Sequence, residues 1–162
     1  MVDDTTVPQQ FTIRVYGILL DAAKGILVAD EQLEGKAFTK FPGGGLHFGE
    51  GPRDCLVREW MEELGEQVEV TAHFYTTDFF QRSFFNPAVQ VISIYYLVKL
   101  PENSNTLTTS GADLAFAEKR SDAALRWIAP DAFNASILSF PIDRIVGAMI
   151  EEQLQKTKKD RP

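Results

Sequence analysis

A chain of 162 residues and 18.2 kDa, 44% apolar and 24% charged, has the size and balance of one folded domain, which excludes an extensively disordered protein. A formal net charge of -7 and a pI near 4.8 exclude binding of a nucleic-acid polymer by general electrostatics, so an anionic substrate needs a local device such as a bound cation. One cysteine, Cys55, excludes an intrachain disulfide and a cysteine-based zinc site.

The N-terminal stretch MVDDTTVPQQ has no basic segment followed by an apolar one, and the apolar runs are too short to span a bilayer, so the expected setting is the cytoplasm, away from membranes. Phe11 to Leu20 is rich in β-branched and aliphatic residues, DAAKG supplies a turn and ILVAD resumes the pattern, which predicts a hairpin. AFTKF is a short third strand ended by Pro42. From Pro52 to Leu64 the period becomes helical, with Leu56, Trp60 and Leu64 four residues apart, Pro52 in the first turn and Gly65 past the end. VEVTAHFYTTDFFQRSFF alternates as one long or two short strands, and AVQVISIYYLVKL is the strongest strand pattern, the two pairing across SFFNPA. PENSNTLTTSGAD reads as a loop, ALRWIAP as a strand, PDAFN as a helical turn and DRIVGAMIEEQLQK as a C-terminal helix. The order predicts a single mixed α+β domain over residues 1–162, with about 1–10 and 156–162 as flexible ends.

The helix carries Glu59, Glu62 and Glu63, which crowd one edge beside the apolar stripe, and Arg58 can offset part of their repulsion through its i+4 partner Glu62. Such a helix by itself is more often a solvated face. Upstream, however, FPGGGLHFGEG adds Glu50 and glycines whose backbone can approach a ligand closely, so the stretch offers hard oxygen donors suited to magnesium or manganese. The glycines do not fit a G-x-x-x-x-G-K-[ST] phosphate loop or a G-x-G-x-x-G turn, no G-x-S-x-G elbow exists, and His47 and His73 are too few for a zinc hydrolase. His47 reads as a loop histidine.

Gly44, Glu50, Arg58, Glu59, Glu62, Glu63 and Gly65 fit G-x5-E-x7-R-E-U-x-E-E-x-G-U, where U is a bulky apolar residue. The chain thereby resembles the Nudix hydrolase family over the box Gly44 to Glu66. It departs from the pattern at Trp60, where an aliphatic residue is usual, at Glu66, where an apolar one is usual, and at His47, where many members have a glutamate. The Glu66 departure shifts the apolar role to Val68 or frees that edge.

The resemblance implies an α/β/α sandwich with a mixed β-sheet and hydrolysis of a pyrophosphate bond in a nucleoside diphosphate linked to another group, with Mg2+ or Mn2+. It implies Glu59 and Glu63 as principal metal ligands, Glu62 and the Gly44 carbonyl as further contacts, and an Arg58–Glu50 ion pair that orients the carboxylates. It also implies a further carboxylate ahead of Arg126-Trp127, for which Glu118 and Asp122 are candidates. Marks of ADP-ribose, NADH and coenzyme A hydrolases are absent, which leaves the small nucleotide substrate open. Phe80 and Phe84, in the aromatic-rich stretch after the box helix, are candidates for stacking on a base. The alternative class is a catalytically silent nucleotide-binding module of the same fold, and a homodimer is possible.

Overall fold

The alternation read in the first strand organises the sheet. In the computed structural model, which describes residues 7–33, 35–102, 104 and 123–159, strand β1 (Gln10–Asp21) turns through DAAKG into β2 (Gly25–Leu33), with Leu20 opposite Ile26. The side chain of Asp21 caps the turn by accepting from the N–H groups of Ala23 and Lys24, both at 2.8 Å. β3 (Lys36–Lys40) pairs with β2, and the short β4 (Gly43–Gly45) folds back antiparallel onto β1. Helix α1 (Pro52–Leu64) and β5 (Glu69–Thr76) then carry the chain across to β6 (Val89–Lys99), which runs parallel to β1 from Gln10 opposite Val89 to Leu19 opposite Val98. β7 (Ala123–Ile128) adds to the other edge of β2, and helix α2 (Pro141–Lys159) closes the described chain. The result is a mixed sheet of order β3-β2-β1-β6-β5, with β4 on β1 and β7 on β2.

Period-two alternation sends successive side chains to opposite faces. Val15 and Leu19 of β1, Leu27 of β2 and Tyr96 and Val98 of β6 pack under Leu56 and Trp60 of α1. Tyr16 and Ile18, Ile26 and Val28, and Tyr95 pack on the other face under Ile142, Val146 and Ile150 of α2. The expected helix–sheet–helix sandwich is therefore present, with a core on each face. Trp60 fits at an aliphatic position because Gly17 lies beneath it: a Cβ on Gly17 would stand 2.9 Å from the indole Nε1.

Two sequence expectations need adjustment. β5 and β6 do pair antiparallel, but β5 stops at Thr76 and residues 77–88 form an irregular connection, with only an isolated bridge from Arg82 to Gln90. Its phenylalanines come as two adjacent pairs, Phe79–Phe80 and Phe84–Phe85, instead of at every second position, and all four are exposed. α2 extends through Lys159, beyond the Lys156 at which the sequence suggested fraying.

Candidate active site

The site begins with the start and stop of α1. Pro52 occupies the first turn, where its missing N–H costs nothing, and Gly65 adopts φ 64°, so that its N–H and that of Glu66 cap the last carbonyls, those of Met61 and Trp60. Between these ends, Leu56 and Trp60 are buried against the sheet, which fixes the rotation of the helix and turns Glu59 toward β4. Glu59 is 9% exposed, a correction to the solvent-side position that helical spacing suggested. A Cβ on Gly44 would fall 2.3 Å from Cδ of Glu59, so the bare glycine backbone is what admits the carboxylate. Glu62 and Glu63 lie on the exposed side of the helix, as does Met61.

Arg58 collects the carboxylates. Its Nε and Nη2 donate to the two oxygens of Glu50 at 2.9 and 2.6 Å, its Nη1 donates to Glu59 at 3.0 Å and Glu62 at 3.2 Å, and Nη2 also donates to the Gly45 carbonyl at 3.0 Å. The N–H of His47 donates to Glu50 at 2.8 Å. These bonds, that from Arg58 first, hold the Glu50 carboxyl down to about 2 and raise the Arg58 guanidinium further. Glu63 moves the other way. The protein around its carboxyl costs it hydration, and the charges of Glu31 and Glu59 add to the rise while Lys40 and Arg14 oppose it. Cys55, buried beside Arg58, has its thiol pushed up to about 12, mainly by burial, so it is no nucleophile.

The sequence-predicted residues Gly44, Glu50, Arg58, Glu59 and Glu62 are thus joined in one contiguous cluster, and Glu63 lies near enough to feel the charge of Glu59. Among the described residues no three acidic, histidine or cysteine side chains are gathered as metal ligands, and Arg58 holds one oxygen each of Glu59 and Glu62. The donor set nevertheless fits a hard divalent ion: three carboxylates and a glycine backbone on which any side chain would collide with the nearest carboxylate. Glu118 and Asp122 lie outside the described residues. His47 is an exposed loop residue, as expected. Glu66 is buried, accepting from the Ser104 hydroxyl at 2.7 Å, and Val68 is buried beside it in the sequence, taking the apolar role.

Next to this cluster is a cavity of about 630 Å³ under the first turn of α2. Phe38, Phe84, Phe85 and Phe140 form an aromatic side to it, with Phe85 and Phe140 ring centroids 6.0 Å apart. Phe84 is thus brought to the cavity, whereas Phe80 is not among its lining residues and instead has the Arg82 guanidinium 5.8 Å above its ring. Arg14, Lys40 and Asp143 line the polar side, and sequence reasoning missed all three. Each had a signal. Arg14 interrupts an otherwise apolar strand pattern, Lys40 is the one charge in AFTKF, and Asp143 stands one residue from the apolar stripe Ile142, Val146 and Ile150.

A family model described as the NUDIX domain matches residues 10–146. The chain belongs to the Nudix family. Solved structures share the Nudix fold at low identity. The E. coli ORF135 protein has 21% identity over 94% of this chain and 94% of its own, with a TM-score of 0.60. A MutT protein from Methanosarcina mazei has 16% identity over 96% and 100%, with a TM-score of 0.58, and a NUDIX hydrolase from Nitrosomonas europaea has 16% over 98% and 78%, with a TM-score of 0.60. No curated protein matches the sequence. Identities at this level speak to the Nudix fold and leave the substrate open. Among the described residues no helix is long and apolar enough to cross a membrane.

Proposed function

We propose that this Nudix protein is a divalent-metal-dependent pyrophosphohydrolase acting on a small nucleotide or nucleotide derivative. The observation that carries the reading is the Arg58 network, which keeps Glu50, Glu59 and Glu62 together against the Gly44 backbone. A silent binding module has no need to hold like charges at this separation. Glu59, Glu62, Glu63 and the Gly44 carbonyl would hold Mg2+ or Mn2+, and such an ion supplies neutralisation of phosphate charge and acidification of water. Glu118 and Asp122 are proposed as the source of an additional carboxylate. The acidic composition and single cysteine suit the cytoplasm.

The chain's own residues have separable roles. Arg58 orients the carboxylates, Glu50 fixes Arg58, and the aromatic cavity takes the organic part of the substrate while excluding water from it. Water adds across one P–O–P bridge: a new P–O bond forms, the bridging P–O bond breaks, and two phosphorylated products leave with the released proton going to solvent. The test is a panel of nucleoside triphosphates and nucleoside diphosphate derivatives, assayed with magnesium and scored by product, with Glu59→Gln and Glu63→Gln alongside. Turnover lost by orders of magnitude in both variants, with the fold retained, supports the reading. Absence of turnover by the wild-type chain across the panel favours the silent module.

A further inference from the structure

We propose that Arg14 is a substrate-binding residue whose guanidinium holds the phosphate attached to the organic group lodged in the aromatic cavity. This deepens the reading above and rests on it for the choice of phosphate as the ligand. Arg14 comes from β1, opposite Gly45 of β4 on one side and Ser93 of β6 on the other, and its side chain lines the cavity. Its Nε donates to the Tyr16 hydroxyl at 3.2 Å, which fixes the direction of the side chain. Its two terminal nitrogens have no hydrogen-bond or ion-pair partner among the described residues. The neighbouring cations are already committed. Lys40 donates to Glu31 at 2.7 Å and to the Gly43 carbonyl at 2.9 Å, and Arg58 is occupied by Glu50, Glu59, Glu62 and the Gly45 carbonyl.

Position adds to the case. Nη1 of Arg14 lies 3.8 Å from where a Cβ on Gly45 would stand, one residue from Gly44, whose backbone abuts Glu59. The charge of Arg14 is felt by Glu59 and Glu63 on one side and by Glu31 and Asp143 on the other. Arg14 therefore stands at the junction between the box carboxylates and the cavity. A substrate with its organic group among the phenylalanines and its anhydride at the glutamates must pass its first phosphate through this junction. A planar guanidinium with two free terminal nitrogens matches the paired oxygens of a phosphate, which a lysine would engage only as a point charge.

The experiment deletes the phosphate from the ligand and the guanidinium from the protein. Four nucleosides and their 5′-monophosphates are titrated calorimetrically into the full chain in EDTA, for wild type, Arg14→Gln and Arg14→Lys. Hydrogen bonds to charged groups predict that at least one monophosphate binds wild type about tenfold or more tighter than its nucleoside. Arg14→Gln should erase that preference while leaving nucleoside binding in place, and Arg14→Lys should keep only part of it. No preference in wild type for any pair, or a preference that survives Arg14→Gln, overturns the proposal. Should the glutamine variant not fold, Arg14→Lys decides alone: a reduced preference supports the assignment and an unchanged one defeats it. Turnover is scored separately. A chain that prefers monophosphates through Arg14 but hydrolyses nothing keeps this inference and loses the proposed activity, and the reverse result does the opposite.

Discussion

Arg58 and Glu50 face each other through two parallel hydrogen bonds, Nε to Oε2 at 2.9 Å and Nη2 to Oε1 at 2.6 Å, tying the loop after β4 to the middle of α1. A bidentate pair of this kind fixes direction as well as distance. Its consequence is that the remaining donor, Nη1, is aimed at Glu59 and Glu62. On the proposed function, Glu50→Gln should lower kcat by about 10–100-fold, the usual cost of losing a residue that orients metal ligands, with a smaller change in KM. Steady-state kinetics decide it, and a kcat near wild type would remove Glu50 from the machinery. The pH sign also follows. The folded-state pKa of Glu50 is depressed to about 2, so the pair's contribution to stability is present above about 4.5 and is lost as pH falls toward 2.

Gly44→Ala tests the close approach of backbone and carboxylate. The added methyl would meet Cδ and both oxygens of Glu59 at 2.3 to 2.5 Å, so the carboxylate must move. A displacement on the order of 1 Å at a reacting centre costs about a hundredfold in rate. The expected result is that kcat drops on this scale while circular dichroism and the melting profile stay close to wild type. Full activity in Gly44→Ala would mean that Glu59 acts from another position or not at all.

The two candidate phenylalanines should separate. Phe84 lines the cavity and packs on Phe85 and Phe140, with Lys36 Nζ 5.5 Å above its ring, whereas Phe80 is engaged with Arg82 outside the lining. Base–aromatic stacking contributes about 1–3 kcal/mol, so Phe84→Ala should raise KM by about fivefold or more. Phe80→Ala should leave KM where it was. Equal effects of both variants would argue that the connection as a whole, rather than the Phe84 ring, contacts substrate.

What the sequence could show was local. The bounds of α1, the cap at Gly65, the DAAKG hairpin and the i+4 pair of Arg58 and Glu62 all depend on residues within one turn or one hairpin, and they are where the residue pattern put them. The burial of Glu59 was hidden because helical spacing says which residues share an edge but not which edge meets β4. The cavity was hidden for a stronger reason. Arg14, Lys40 and Asp143 come from β1, β3 and α2, and only the long-range pairing of β1 with β6 and the seating of α2 on the opposite face from α1 assembles them. The connection 77–88 misled for the opposite reason: its aromatic content resembles a strand, but its phenylalanines fall in adjacent pairs and group around the cavity and the surface instead of facing a sheet core.

Asp143 supplies a prediction of the opposite pH sign. It is completely buried, one oxygen accepts from the Tyr95 hydroxyl, and the other has no partner among the described residues. Burial pushes its carboxyl from 3.8 up to about 7, against the pull of the Tyr95 hydrogen bond and the charges of Lys40 and Arg14. Between those values the folded chain binds more protons than the unfolded one, so stability falls as pH rises from about 4 to about 7 and levels off above. The full linkage is on the order of 4 kcal/mol, an upper bound because any water entering the cavity would hydrate the carboxylate. Asp143→Asn removes the titration while keeping an oxygen that can accept from Tyr95. Its Tm should therefore fall less than that of wild type between pH 5 and pH 8 (roughly the window of the titration), and the variant should be the more stable of the two at the alkaline end. The difference between the two Tm profiles isolates Asp143 from Glu63, whose raised carboxyl acts in the same direction and is present in both proteins. Parallel profiles would mean that the Asp143 carboxylate is ionised and well solvated in the folded chain, and that the cavity floor carries a permanent negative charge.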